Sequence, residues 1–169
     1  MLEALPDAPG TYVVVLRNPR RVWLWVGGLG RITAAAGYYL YVGSARGPGG
    51  LRARVSRHLR VSSQPHWHID YLRQRADPLK VWLLAGPSSQ EHDWAGIMDG
   101  GRGIELAVPR FGASDCRCAS HLFFSGRPPR LAVFTDRLVA AGLPAGVVEW
   151  RVTGRCEPAP ALAPRPPAR

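Results

Sequence analysis

Lysine is almost missing from this chain: Lys80 is the single one among 169 residues, so the other 21 of its 22 basic side chains are arginines. Chemistry that needs a lysine base has one candidate. Acidic residues are scarce as well, with 12 Asp and Glu leaving a formal charge of +10. None occurs between Asp7 and Asp70, a stretch that holds Arg17, Arg20, Arg21, Arg31, Arg46, Arg52, Arg54, Arg57 and Arg60. Such a one-sided block sets up a field that attracts polyanions, and guanidinium groups pair bidentately with phosphate. Nucleic acid is therefore favoured as a partner over the plainer reading of a solvated basic face. Three cysteines are too few for a disulfide framework, and an odd number points to reduced thiols or a metal site. No apolar run approaches the ~20 residues that cross a bilayer, which argues against a membrane protein. The opening residues 1–7 lack the basic region and apolar stretch of a secretory leader, so a cytoplasmic setting is expected.

What is present describes a globular body. Hydrophobic residues make up 46% of the chain and charged residues 20%, enough to bury a core. Residues 11–16 (TYVVVL) read as a β-strand. Asn18-Pro19 is a turn, and residues 22–26 (VWLWV) read as a returning strand buried on both faces, broken by Gly27, Gly28 and Gly30. Residues 38–42 (YYLYV) form a third strand. Leu51, Val55 and Leu59 recur at the spacing of a helix face. A second helix is expected over 66–75 behind Pro65, a strand over 80–85, and a short helix from Ser88 to about Met98. Residues 131–134 and 147–152 read as late strands, and the Pro/Ala/Arg-rich residues 154–169 as a disordered tail. The resulting expectation is an α+β domain, a small antiparallel sheet flanked by helices, over residues 1–135. Residues 136–153 then form an extension packed on it.

Chemistry-bearing residues gather in three ordered features: Gly10-Thr11-Tyr12, then Tyr41-Val42-Gly43, then the arginine-rich segment Leu51 to His58. Arg54 and His58 are four apart and fall on one helix face, at the edge of the apolar stripe. An arginine so placed points into the domain, where it could stabilise charge on a phosphoryl group. Taken singly, it is more simply an arginine snorkelling past its neighbours. Arg46, Arg52, Arg57 and Arg60 suit contacts to a phosphate backbone. Tyr12 and Tyr41 are ordinary core aromatics unless a cation depresses their pKa and makes one a base.

This ordered set resembles the GIY-YIG nuclease superfamily, with Thr11 in the place of the usual isoleucine. Tyr41-Val42-Gly43-Ser44-Ala45, His66-Trp67-His68-Ile69-Asp70-Tyr71-Leu72 and Phe111-Gly112-Ala113-Ser114-Asp115-Cys116 resemble one branch of it, small stand-alone proteins sometimes described as Uri-type endonucleases. The resemblance covers about residues 8 to 125. The superfamily sets its two tyrosine signatures close together. Here Trp23, Trp25 and several glycines intervene, so the first hairpin is expected to be enlarged. Ser44 stands where some relatives carry a lysine. The resemblance implies a metal-dependent endonuclease, on DNA in preference to RNA, with Tyr12, Tyr41, Arg54 and His58 as catalytic residues. It also implies one divalent cation, Mg²⁺ or Mn²⁺, on a glutamate of a later helix.

Glu91 is the candidate for that glutamate, with Glu105 next. Glu91 heads the series Glu91, Trp94, Ala95 and Met98, an apolar face on which a carboxylate needs compensation. Ser88-Ser89-Gln90-Glu91 also reads as a capping box, in which Glu91 would serve only its own helix. His66, His68, Cys116, Cys118 and His121 supply zinc-type ligands, although the C-x-C pair is tighter than usual zinc spacing. A buried reduced cysteine pair is favoured over structural zinc, and Cys156 is a bystander. Two competing readings remain: a nucleic-acid-binding module without turnover, and a zinc-stabilised interaction protein.

Overall fold

The computed structural model describes residues 5–152. Strands β1 (Gly10–Asn18) and β4 (Gly37–Ala45) pair antiparallel along nine residues each, with Gly10 opposite Ala45 and Asn18 opposite Gly37. Strand β5 (Asp77–Ala85) lies antiparallel on the other side of β1. β7 (Leu122–Ser125) and the short β6 (Glu105–Leu106) extend the β4 side, and β8 (Val148–Arg151) extends the β5 side. The result is one six-stranded antiparallel sheet in the order β6-β7-β4-β1-β5-β8. With helices α1 (Gly50–Leu59), α2 (His68–Arg73), α3 (Glu91–Met98) and α4 (Leu131–Ala140), it is the α+β architecture expected.

The continuous apolar run of β1 exists because the sheet is covered on both faces. Tyr12, Val14 and Leu16 join Leu51, Val55 and Leu59 of α1 and Ile69 and Leu72 of α2 in one core. Val13 and Val15 point the other way, to Trp82, Trp94, Met98, Phe134 and Leu138 under α3 and α4. Burying each such aliphatic side chain contributes roughly 1.5–3 kcal/mol. Arg73 of α2 ties the first layer together. Its buried guanidinium donates to the carbonyls of His58 and Leu59 at 3.1 and 2.8 Å, at the end of α1 where a cation also suits the helix dipole.

Several local expectations are corrected. Residues 22–26 are not buried on both faces. They form β2 (Val22–Val26), which pairs with an unforeseen β3 (Gly30–Ala34) in a separate two-stranded sheet between β1 and β4. Val22, Leu24 and Val26 face inward, while Trp23 and Trp25 are 58% and 70% exposed. This insertion is what enlarges the first hairpin. Residues 131–134 are the first turn of α4 and not a strand. Phe134 and Leu138 are spaced for one buried helix face, whereas the β-branched Val133 and Val139 point outward. The helix α2 is shorter than residues 66–75, because the Asp70 carboxylate fixes its start by accepting the backbone N–H groups of His66 and Trp67, both at 3.0 Å. α3 starts at Glu91 with Gln90 before it, so Glu91 is not the N3 member of a box opened by Ser88. Residue 135 lies inside α4, and the expected tail with Cys156 lies outside the described residues. Among those residues, no helix is long and apolar enough to cross a membrane.

Candidate functional site

The β1–β4 register brings the two tyrosine signatures together. Tyr12 stands opposite Gly43, and Tyr41 opposite Val14. The Tyr12 ring crosses the bare backbone of Gly43, where a Cβ would lie 2.5 Å from its hydroxyl. Tyr41 rests on Gly112, which has φ +70° and where a Cβ would come within 2.9 Å of the ring. His58 of α1 enters between them. Its ring centroid lies 5.8 Å from that of Tyr12, 5.6 Å from Tyr41 and 5.7 Å from Trp67. One helical turn earlier, the Arg54 guanidinium stacks 4.3 Å from the centre of the Trp67 ring. Among the described residues no carboxylate pairs with Arg54. Except for the enclosed His58, these groups wall a cleft of about 450 Å³, whose lining includes Tyr12, Tyr41, Arg54, Trp67, His68 and Glu91.

Burial sets the charge states. His58 is fully enclosed, neither ring nitrogen has a hydrogen-bond partner, and desolvation lowers its pKa to about 4, so it is neutral at pH 7. Burial, and then the nearby Tyr41, push the Tyr12 hydroxyl well above its ordinary value, and Arg54 offsets this only in part. Tyr41 is raised by burial and by Glu91. Both are neutral phenols that can donate hydrogen bonds. His68 is held neutral by burial, and its Nδ1 accepts the Gly112 N–H at 2.9 Å, which leaves its proton on Nε2.

Glu91 reaches the same cleft from the opposite layer. The departure at Thr11 explains part of its placement: the Thr11 hydroxyl accepts the Gln90 N–H at 2.8 Å and pins the start of α3 to β1. The Ser44 hydroxyl donates to Glu91 Oε2, and His121 Nδ1 lies 3.0 Å from Oε1. Burial alone would raise this carboxyl, but His121 and Ser44 outweigh it and hold it below the usual carboxylate range. Glu91 is thus ionised. Glu105, the second candidate, lies on β6 beside a different depression lined by Arg102, Arg127 and Arg130. Lys80 pairs with Glu149 at 2.9 Å and is not among the cleft residues.

Behind Glu91 lies a second cluster. One nitrogen each of His92 and His121 and the sulfurs of Cys116 and Cys118 all lie within 4.8 Å of one another, a group that can hold a metal ion. His92 Nδ1 is 3.2 Å from Cys118 Sγ, and Cys116 Sγ is 3.5 Å from His121 Nε2. The Arg110 guanidinium donates to the carbonyls of Cys116 and Cys118 at 2.8 and 3.1 Å and braces the loop. Cys116, Cys118 and His121 therefore come together as candidates, whereas His66 and His68 belong to the other layer and take no part. His92 is the member missed from sequence, since its helix is remote in sequence from the C-x-C segment. Its adjacency to Glu91 was the available signal.

The surface arginines divide. Arg52 pairs with Asp7, and Arg57 with Asp70 at 3.2 Å. Arg46 and Arg60 are exposed with no carboxylate partner among the described residues.

A family model described as "Domain of unknown function DUF123" matches residues 11–141. The chain belongs to this family. The DUF123 match runs from β1 through α4 and so contains every residue of the cleft and of the Cys/His cluster, while β8 falls outside it. No curated protein and no solved structure matches the chain.

Proposed function

We propose that this DUF123 protein is a metal-dependent endonuclease of GIY-YIG type, cleaving phosphodiester bonds in nucleic acid, DNA in preference to RNA. The observation that carries the reading is the convergence on one cleft of Tyr12, Tyr41, Arg54 and Glu91, with His58 buried against the two tyrosine rings behind it; the five come from four separate elements. Arg54, stacked on Trp67 and unpaired with any described carboxylate, supplies a fixed fork for the phosphoryl oxygens. The Tyr12 and Tyr41 hydroxyls donate hydrogen bonds to oxygens of the bound phosphate or to the attacking water. His58 carries a free ring nitrogen for proton transfer, and an entering phosphate anion raises its pKa from the resting value.

Glu91 fits a hard divalent cation, Mg²⁺ or Mn²⁺: its carboxyl is ionised, and each oxygen keeps a lone pair beyond its contact with Ser44 or His121. Such an ion would supply Lewis acidity at the phosphate and lower the pKa of water. At the second cluster we infer zinc. Ligand bonds of ~2.0–2.3 Å in a tetrahedral site separate neighbouring donors by about 3.5 Å, close to the His92–Cys118 and Cys116–His121 separations, and all four donors lie within 4.8 Å of one another. Glu91 would then orient His121, in the carboxylate–histidine arrangement common behind bound zinc. A reducing, cytoplasmic setting suits two such thiols.

The test is incubation of the full chain with single-stranded, duplex and branched DNA and RNA under Mg²⁺, Mn²⁺ or EDTA. Metal-dependent internal cleavage supports the proposal. Tight binding without cleavage under any metal supports the second reading, a binding module on the same fold, which the raised tyrosines and the engaged Glu91 favour.

A further inference from the structure

The β2–β3 hairpin presents one face that the core does not use. Leu24, Val26, Ile32 and Ala34 turn inward, and the Asn18 side-chain amide donates to the carbonyls of Ala34 and Ala35 at 3.2 and 2.8 Å, which roots the hairpin on β1. Trp23 and Trp25, two positions apart, share the outer face. Arg31, opposite Trp25, stacks its guanidinium 4.1 Å from the Trp23 ring centre, and Arg21 lies 5.9 Å from the same ring on its other side in sequence. No acidic residue occurs between Asp7 and Asp70, so nothing on this hairpin repels an anion.

We infer that this face is a binding platform for single-stranded nucleic acid, on which unpaired bases stack against Trp23 and Trp25 while Arg21 and Arg31 hold the adjacent phosphates. Aromatic faces accept any base, and neighbouring cations supply the backbone attraction. A buried hairpin face would not need two indoles in solvent, and a fully apolar partner would not be matched by one stacked guanidinium with a second beside it. The hairpin that carries the platform packs on the helix beside the cleft. β2 packs on α2, and a Cβ at Gly27 in the hairpin turn would sit 3.7 Å from the Tyr71 hydroxyl. His68 of α2 and the preceding Trp67 line the cleft itself. An unpaired segment held on the hairpin is then one helix away from the cleft, and the proposed nuclease prefers substrates that carry one. The inference rests on the nucleic-acid reading of the cleft.

The experiment measures binding of a 20-nucleotide oligo-dT and of a blunt duplex by fluorescence anisotropy. The proteins compared are the full chain, Trp23→Ala, Trp25→Ala, and the Phe variants at both positions. Each Ala variant should weaken oligo-dT binding about tenfold, the Phe variants should restore most of it, and duplex binding should change less than threefold. Melting temperatures should match, since both indoles are exposed. If oligo-dT binding is unchanged in Trp23→Ala and Trp25→Ala while wild type binds duplex, the platform is wrong and the cleft reading stands. If wild type binds neither nucleic acid, both fall. Concentration-dependent dimerisation lost in the Ala variants, with oligo-dT binding intact, would assign the face to a second copy and overturn the inference.

Discussion

His58 shows how packing alone sets the charge state of a side chain. Burial holds it neutral with a pKa of about 4 against an ordinary 6.5. Between those values the unfolded chain binds a proton that the native state refuses, so stability must fall as pH drops through that window. The full loss is about 3 kcal/mol. In chelator, to keep metal release out of the comparison, wild type should lose more stability from pH 7 to pH 4 than His58→Phe, which keeps an aromatic ring in the box. Parallel pH profiles would show that His58 is not buried neutral. Glu91 gives a second prediction at this scale. If it orients His121 at a bound zinc, Glu91→Gln should release zinc to a competing chelator about 10–100-fold more readily. Unchanged zinc affinity would leave Glu91 to the cleft alone.

Among the elements, α3 is decisive, because its first turn brings Glu91 to the cleft and His92 to the Cys/His cluster. Its start depends on Thr11, and Thr11→Val preserves shape while removing the acceptor for Gln90. The change should cost roughly 1 kcal/mol, read from chemical denaturation, and weaken cleavage further through Glu91. No loss of either would mean α3 is held elsewhere. The sequence made β1, β4, β5 and α1 legible because their apolar runs and four-residue spacing are strong. It did not reveal β3, a short segment behind three glycines, nor the outward face of β2, whose indoles mimic a core strand. Residues 131–134 misled as a short apolar run, although the later Leu138 carries the helical period. At the site, the pairing of Arg54 with His58 was readable from helical spacing, and Cys116, Cys118 and His121 were candidates by ligand type, although their spacing spoke against zinc. His92 and the Ser44–Glu91 contact were not readable, since both depend on α3 crossing β4 in space.

At the scale of the whole molecule, two layers on opposite faces of one sheet meet at a single cleft. α1 and α2 bring Arg54, His58 and Trp67, and α3 brings Glu91 from the other side. Arginines dominate the first layer, so nucleic-acid affinity should fall as salt rises, with a log–log slope of about −0.7 to −0.9 per phosphate neutralised. A flat salt response would remove the electrostatic basis of the partner assignment. The central claim is that the cleft turns over phosphodiesters, and Arg54 is its most exposed commitment. The direct measurement is single-turnover cleavage by wild type, Arg54→Ala and Arg54→Lys in saturating Mg²⁺, with binding followed in parallel. The account predicts that both variants fold and bind within a few-fold of wild type, while the Ala variant cleaves about 10²–10³ times more slowly. Lysine should rescue little, since a point charge does not reproduce the planar fork. Cleavage by a folded Arg54→Ala at the wild-type rate would contradict it.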